Sequence, residues 1–301
     1  MLKPIGSESP GARGTGLHLP DPAIDGPYRP FTTDPGWSEA WWWLAGPVLV
    51  AVWLLLTWQI APDWYSKWVI PEGYGILEFS QFVTMLVALF LAVRLLFRPF
   101  VRKRPFLFAV TIISALSCLY IAGEEMSWGQ HFFHWNTPEY GAMVNRQEET
   151  NLHNTYAVFE KWPRAILELG VVIGGILVPI AAIFLPRVRA NRLSLFLPPA
   201  ALLPTAVIAM LFKLIDLLQQ GSHAETLVQR PSEAIESYLY YFILAYLIVF
   251  TRRLNELEAA AGGRARARPQ GALAPARAWR RWPPLQSSAR AAPRRRAREL
   301  G

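Results

Sequence analysis

The chain has 301 residues, of which 52% are hydrophobic and only 17% charged, and its mean hydropathy is +0.21. Soluble domains carry roughly 25% charged residues, so this composition argues against an ordinary soluble domain and for a membrane protein. The net charge of +8 is concentrated in the C-terminal tail, where residues 252–301 hold 13 arginines against three glutamates, while the remainder is slightly acidic. Such a distribution predicts no nucleic-acid partner. A basic tail beside a membrane span instead marks the inner face and contacts anionic lipid.

Residues 1–38 are polar and rich in Gly and Pro, and lack the early apolar core of a signal peptide. They are expected to form a disordered cytoplasmic segment. Six apolar stretches follow, at about 41–60, 75–97, 106–126, 165–186, 195–218 and 234–251. Each has about the 20 residues that a bilayer-spanning helix needs. Pro179, Pro198, Pro199 and Pro204 predict kinks in the fourth and fifth. The one cysteine, Cys118, lies within the third and reads as a small core hydrophobe. The expected fold is therefore all-α: a polytopic membrane protein with about six transmembrane helices over residues 39–253. A disordered Arg-rich tail is expected over 254–301.

Lys and Arg orient these spans. The N-terminal segment, the loops 98–104 and 187–192 and the tail together carry 23, whereas the opposite side carries five: Lys67, Arg146, Lys161, Arg164 and Arg230. The asymmetry predicts both termini inside, in a bacterial plasma (inner) membrane. Trp37 and Trp41–Trp43 at the inner end of the first span, and Trp58, Trp64, Tyr65 and Trp68 at its outer end, sit where aromatic belts occur.

Between residues 61 and 251 there are 14 acidic residues, all on outer loops or the outer parts of spans in this topology. An ionised carboxylate at membrane depth costs several kcal/mol unless paired or hydrated. Glu78, Glu124, Glu125, Glu168, Asp216 and Glu236 come from five spans at one depth, which predicts a shared polar cavity opening outward, with Lys213 as a countercharge. Four of the five histidines (His131, His134, His153 and His223) lie on the same side.

The richest stretch is GEEMSWGQHFFHWNTPEYGAMVNRQEETNLHN, residues 123–154. If the third helix continues past Glu125, then Glu124, Trp128 and His131 share a face at i, i+4 and i+7, with Ser127 and His134 close by. Gly129 can break the helix first, and Asn136-Thr137-Pro138 reads as a turn. The whole connection is expected to lie along the interface or to re-enter the membrane, as a lid over the cavity. Carboxylates and imidazoles at this spacing can bind a divalent metal, with Glu124, His131 and His153 as the candidate ligands for Zn, Mn or Fe. Each residue also has a plain structural reading. A loop histidine beside aromatics ordinarily hydrogen-bonds at the interface, two acids ending a helix can simply meet water, and Asn151 and Asn154 are good local caps.

The pairing of GEEMSWGQ with NRQEETNLHN across a Thr137-Pro138-Glu139 turn resembles a group of uncharacterised bacterial multi-pass membrane proteins. Its members carry GEE-x-SWGQ and then N-x-Q-x-E-x-NLHN. The resemblance covers about 32 residues and implies no particular chemistry.

These features predict an integral membrane protein with an outward-facing Glu/His-lined cavity, read first as an enzyme acting on a lipid, lipid-linked or envelope substrate. Glu124, Glu125, His131 and His153 are the candidate catalytic groups. Glu78, Trp128, Gln130, His134, Glu149, Asn151, Asp216 and Glu236 are the candidate supporting ones. The alternatives are a proton-coupled transporter, in which membrane acids relay protons, and a structural or assembly subunit whose acids bind a partner.

Overall fold

The computed structural model describes residues 31–139, 143, 145, 149–152, 155, 157–185, 192–221 and 226–267. Among these residues there is no β-strand, and six helices are long and apolar enough to cross a membrane. They are Trp41–Ile60, Ile76–Leu96, Pro105–Glu125, Lys161–Phe184, Ala200–Gly221 and Pro231–Ala261. The protein is thus an all-α, multi-pass membrane protein. By its internal contacts the chain divides after Gly262.

The six spans alternate in direction. At one end, Trp58 Nε1 donates to Thr226 O, Gln81 Nε2 to Glu233 O, Tyr240 OH to Glu125 and Lys213 Nζ to Glu168. At the other, Arg252 and Arg253 of the sixth span meet Glu39, Asp34 and the backbone of residues 194–197. These are called below the acidic end and the basic end.

The sixth span is the axis of the bundle: 56% of its apolar window is buried, against 17–33% in the other five. Small residues allow close helix approach where lipid supplies no hydrophobic drive. Ala88 and Ala92 of the second span are buried, as are Ala115, Cys118 and Ala122 of the third. Gly175 does the same for the fourth, since a Cβ there would lie 2.7 Å from both Ala206 Cβ and Phe242 Cε2. The fourth span carries its expected proline irregularity as a π-helical stretch, Val172–Leu177, directly ahead of Pro179. The wider turn accommodates a residue that cannot donate its backbone bond.

Residues 31–38, expected to be disordered, include a packed segment against the basic end. Asp34 forms a two-point pair with Arg253, at 2.6 and 2.8 Å. Thr32 N and Thr33 Oγ1 donate to Glu256. The sixth helix runs on to Ala267, beyond the expected boundary at 253. The remaining parts of both expected tails, 1–30 and 268–301, lie outside the described residues.

Candidate functional site: a cavity beneath a clasped loop

The third helix ends at Glu125, so the condition for Glu124, Trp128 and His131 to share a helical face is not met. Ser127, Trp128 and Gly129 take left-handed φ values of 44°, 55° and 103°, so the chain reverses before His131. One helical turn, Gln130–Phe133, follows and stops at His134, also left-handed. Glycine accepts this conformation freely, but a residue with a Cβ pays about 1–2 kcal/mol. The interactions that follow offset that cost. Trp128 folds back over the helix it has just left, with Nε1 donating to Glu124 Oε1 at 2.7 Å. Its ring needs Gly123, where a Cβ would sit 2.8 Å from the indole.

The second half of the motif closes on this turn. Asn151, buried at 5% exposure, donates Nδ2 to Ser127 Oγ (3.0 Å) and Glu149 Oε2 (2.7 Å), and accepts from Asn145 Nδ2 (2.8 Å). Ser127 Oγ donates to the same Glu149 oxygen at 2.6 Å. Gln130 Oε1 accepts from Thr150 N at 2.6 Å while its amide donates to Thr137 Oγ1 at 2.9 Å. Leu152 N donates to Glu124 Oε2 at 2.7 Å. GEEMSWGQ and NRQEETNLHN are thus the two sides of one clasp. Most of the polar residues that stand out in the sequence, including Trp128, Gln130, Glu149 and Asn151, serve to hold the loop against the end of the third helix.

Glu124 also lines a cavity of about 100 Å³ between the third, fourth and sixth spans, together with Glu125, Arg164, Glu236 and Tyr240 on an apolar frame. Glu125, 8% exposed, accepts from Tyr240 OH at 2.8 Å on Oε1, and its other oxygen has no hydrogen-bond partner among the described residues. Arg164 Nε donates to Glu168 at 3.1 Å and Nη1 to Glu236 at 3.2 Å, while its buried Nη2 has no partner. Lys213 Nζ meets the same Glu168 oxygen at 3.1 Å. Lys213 therefore neutralises Glu168 rather than its helix neighbour Asp216.

The six expected carboxylates therefore do not form one ring. Glu124, Glu125 and Glu236 share the cavity; Glu168 stands behind it with Lys213; Asp216 does not line it. Glu78 accepts a hydrogen bond from the backbone of Gly73 in the loop between the first two spans. That loop abuts His131, whose Nε2 lies 3.4 Å from Glu149 Oε1 without hydrogen-bond alignment. His131 and His134 line a separate open recess with Tyr74, Gln130, Trp135 and Glu149. Two of the candidate metal ligands, Glu124 and His131, thus face different spaces. The third, His153, lies outside the described residues, as does His223. Among the described residues no three His, Cys, Asp or Glu side chains come together as a metal site.

No family model, curated protein or solved structure matches the chain. The site is read from its geometry alone. Two of its residues did not stand out in the sequence. Arg164 is the central cation, and its i, i+4 spacing to Glu168 inside an apolar helix was the available signal. Tyr240 lies in the aromatic-rich run YLYYF, where nothing singles out one hydroxyl.

Proposed function

We propose that this multi-pass membrane protein is an enzyme working in the cavity between its third, fourth and sixth spans, on a lipid, lipid-linked or envelope substrate. The observation that carries the reading is Glu125. It is a buried carboxyl group with one oxygen fixed by Tyr240 and the other unengaged by any described residue, in a cavity that Arg164 also lines. A carboxyl so placed can take and return a proton during bond breaking. Arg164, oriented by Glu168 and Glu236, is a fixed positive charge with a spare donor for an oxygen that becomes negative. Glu124 has a different part, because both its oxygens are engaged in the clasp.

The arginine-rich basic end supports placing the cavity on the outer face of a bacterial plasma membrane with both termini inside. The clasp residues support grouping the chain with the multi-pass proteins that carry GEE-x-SWGQ and NLHN. A divalent metal, Zn, Mn or Fe, held with help from His153 is a further part of the proposal, and no step above depends on it.

The test compares mass-spectrometric profiles of lipid and envelope extracts from a deletion strain carrying the wild type, Glu125→Gln or an empty vector. The wild type is expected to change at least one species, and Glu125→Gln, inserted at wild-type level, to leave the profile at that of the empty vector. A wild-type profile from Glu125→Gln overturns the assignment.

A further inference from the structure

The polar cavity is one part of a longer space. An apolar groove of about 630 Å³ runs between the same three spans, with Ile113, Leu116, Ile166, Gly170 and Phe242 among its walls. Tyr120, Ile121, Pro163 and Leu167 line both the groove and the cavity, so the two adjoin. From Glu124 to Ile113 the third helix rises about 16 Å at ~1.5 Å per residue. That is about half of a ~30 Å hydrocarbon core, the depth of one leaflet.

We infer that the groove seats the hydrocarbon chain of a membrane lipid whose polar head enters the cavity. This rests on the reading that the protein acts in the cavity, and it names the substrate class. The depth matches a lipid of a single leaflet. The head is specified by the two unengaged groups: Arg164 Nη2 offers a donor, and the second oxygen of Glu125 offers an acceptor. A head with an acceptor oxygen and a hydroxyl or ammonium donor satisfies both. Glu124, Glu125 and Glu236 outnumber Arg164 along the wall, which favours a zwitterionic head over an anionic one.

The glycines of the fourth span separate packing from space. Gly175 is pressed against its neighbours, but a Cβ at Gly170 would meet nothing within 4 Å. Gly170 lines the groove, so its missing side chain leaves the groove wide rather than letting helices touch. A large residue there fills the groove without displacing a helix.

The experiment uses the full-length protein in vesicles of phosphatidylethanolamine and phosphatidylglycerol with a trace of phosphatidylethanolamine bearing a mid-chain diazirine. Photoadducts are mapped by mass spectrometry. They are expected on groove residues of the third, fourth and sixth spans. Gly170→Phe and Ser117→Phe, which project into the groove from two different helices, are expected to lower the yield about tenfold, as loss of one well-buried apolar contact implies. Monodisperse elution and unchanged helical circular dichroism establish that both variants fold. Adducts spread evenly over all six spans, or an equal yield in both variants, overturn the inference. Equal labelling by a diazirine phosphatidylglycerol overturns the zwitterionic head. If Glu125→Gln labels the groove but leaves the lipid profile of the wild type, the acid–base reading fails and the lipid site stands. If the groove of the wild type stays unlabelled, the lipid site fails and the acid–base reading keeps its own test.

Discussion

Arg164→Met removes the cation on which the acidic end is organised. Arg164 makes two charge-assisted hydrogen bonds, to Glu168 and Glu236 at 3.1 and 3.2 Å, and the three side chains are between 17% and 24% exposed. Bonds of this kind contribute about 1.5–3 kcal/mol each, and removing one partner of a buried pair costs about 3–5 kcal/mol. Partial exposure places this case near the lower figure, so the expected loss is about 3 kcal/mol. Glu168 keeps Lys213 at 3.1 Å, which limits the loss on that side. Arg164→Lys retains the charge but not the fork that reaches two carboxylates, and is expected to lose about half as much. The assay is reversible unfolding in mixed micelles, followed by tryptophan fluorescence. A double-mutant cycle with Glu236→Gln isolates the pair and should return a coupling of about 1–3 kcal/mol. The cycle also cancels whatever else Glu236 contributes. Additivity within about 0.5 kcal/mol, or a wild-type stability for Arg164→Met, would refute the reasoning.

Three further outcomes are expected. Asn151→Ala removes two donated bonds and one accepted bond from the clasp; hydrogen exchange should rise across residues 127–152 while the spans stay protected. Gly175→Leu places a side chain where even a Cβ would lie 2.7 Å from Ala206 and Phe242, and should destabilise by about 1–3 kcal/mol, whereas Gly170→Ala should be neutral or stabilising by up to ~1 kcal/mol in the same unfolding assay. The hydrogen bond from Trp42 and then the Arg252 guanidinium hold the Glu39 carboxyl below its ordinary value of 4.5. Its folded-state pKa is depressed, so its contribution to stability is present above 4.5 and is lost as pH falls through the folded value. A pH titration of stability should show that loss in the wild type and not in Glu39→Gln.

The spans were legible because their signal is additive: twenty apolar residues are hard to mistake, and their prolines and flanking tryptophans agree with them. The acids were legible as a set, since carboxylates within apolar runs demand explanation whatever their partners. Their division was not. It depends on which helices adjoin, and the side chains that decide it carry no local mark: Lys213 on the fifth span goes to Glu168 on the fourth. The loop failed for a different reason. Helical spacing placed Glu124, Trp128 and His131 on one face, but it assumed regular backbone across Ser127 and Trp128. Trp128 is held by its bond to Glu124, but Ser127 is held by bonds with Glu149 and Asn151, more than 20 positions further on. A local reading cannot weigh a local cost against a distant gain.

The two adjacent glutamates show how the clasp and the cavity are joined. Neighbours on an α-helix point about 100° apart, so Glu124 and Glu125 cannot serve the same partner. Glu124 takes Trp128 Nε1 and Leu152 N and ties down the loop. Glu125 turns to Tyr240 on the sixth span and keeps one oxygen unengaged. Both line the cavity, one bound into the clasp and the other with an oxygen left to act within it. A single acid at the end of this helix could close the site or work in it, and the pair allows both. It follows that the residue most prominent in the motif, fixed on both oxygens, is the less suited to proton transfer. In the proposed reading, proton transfer falls to the neighbour, whose partner lies 115 residues away.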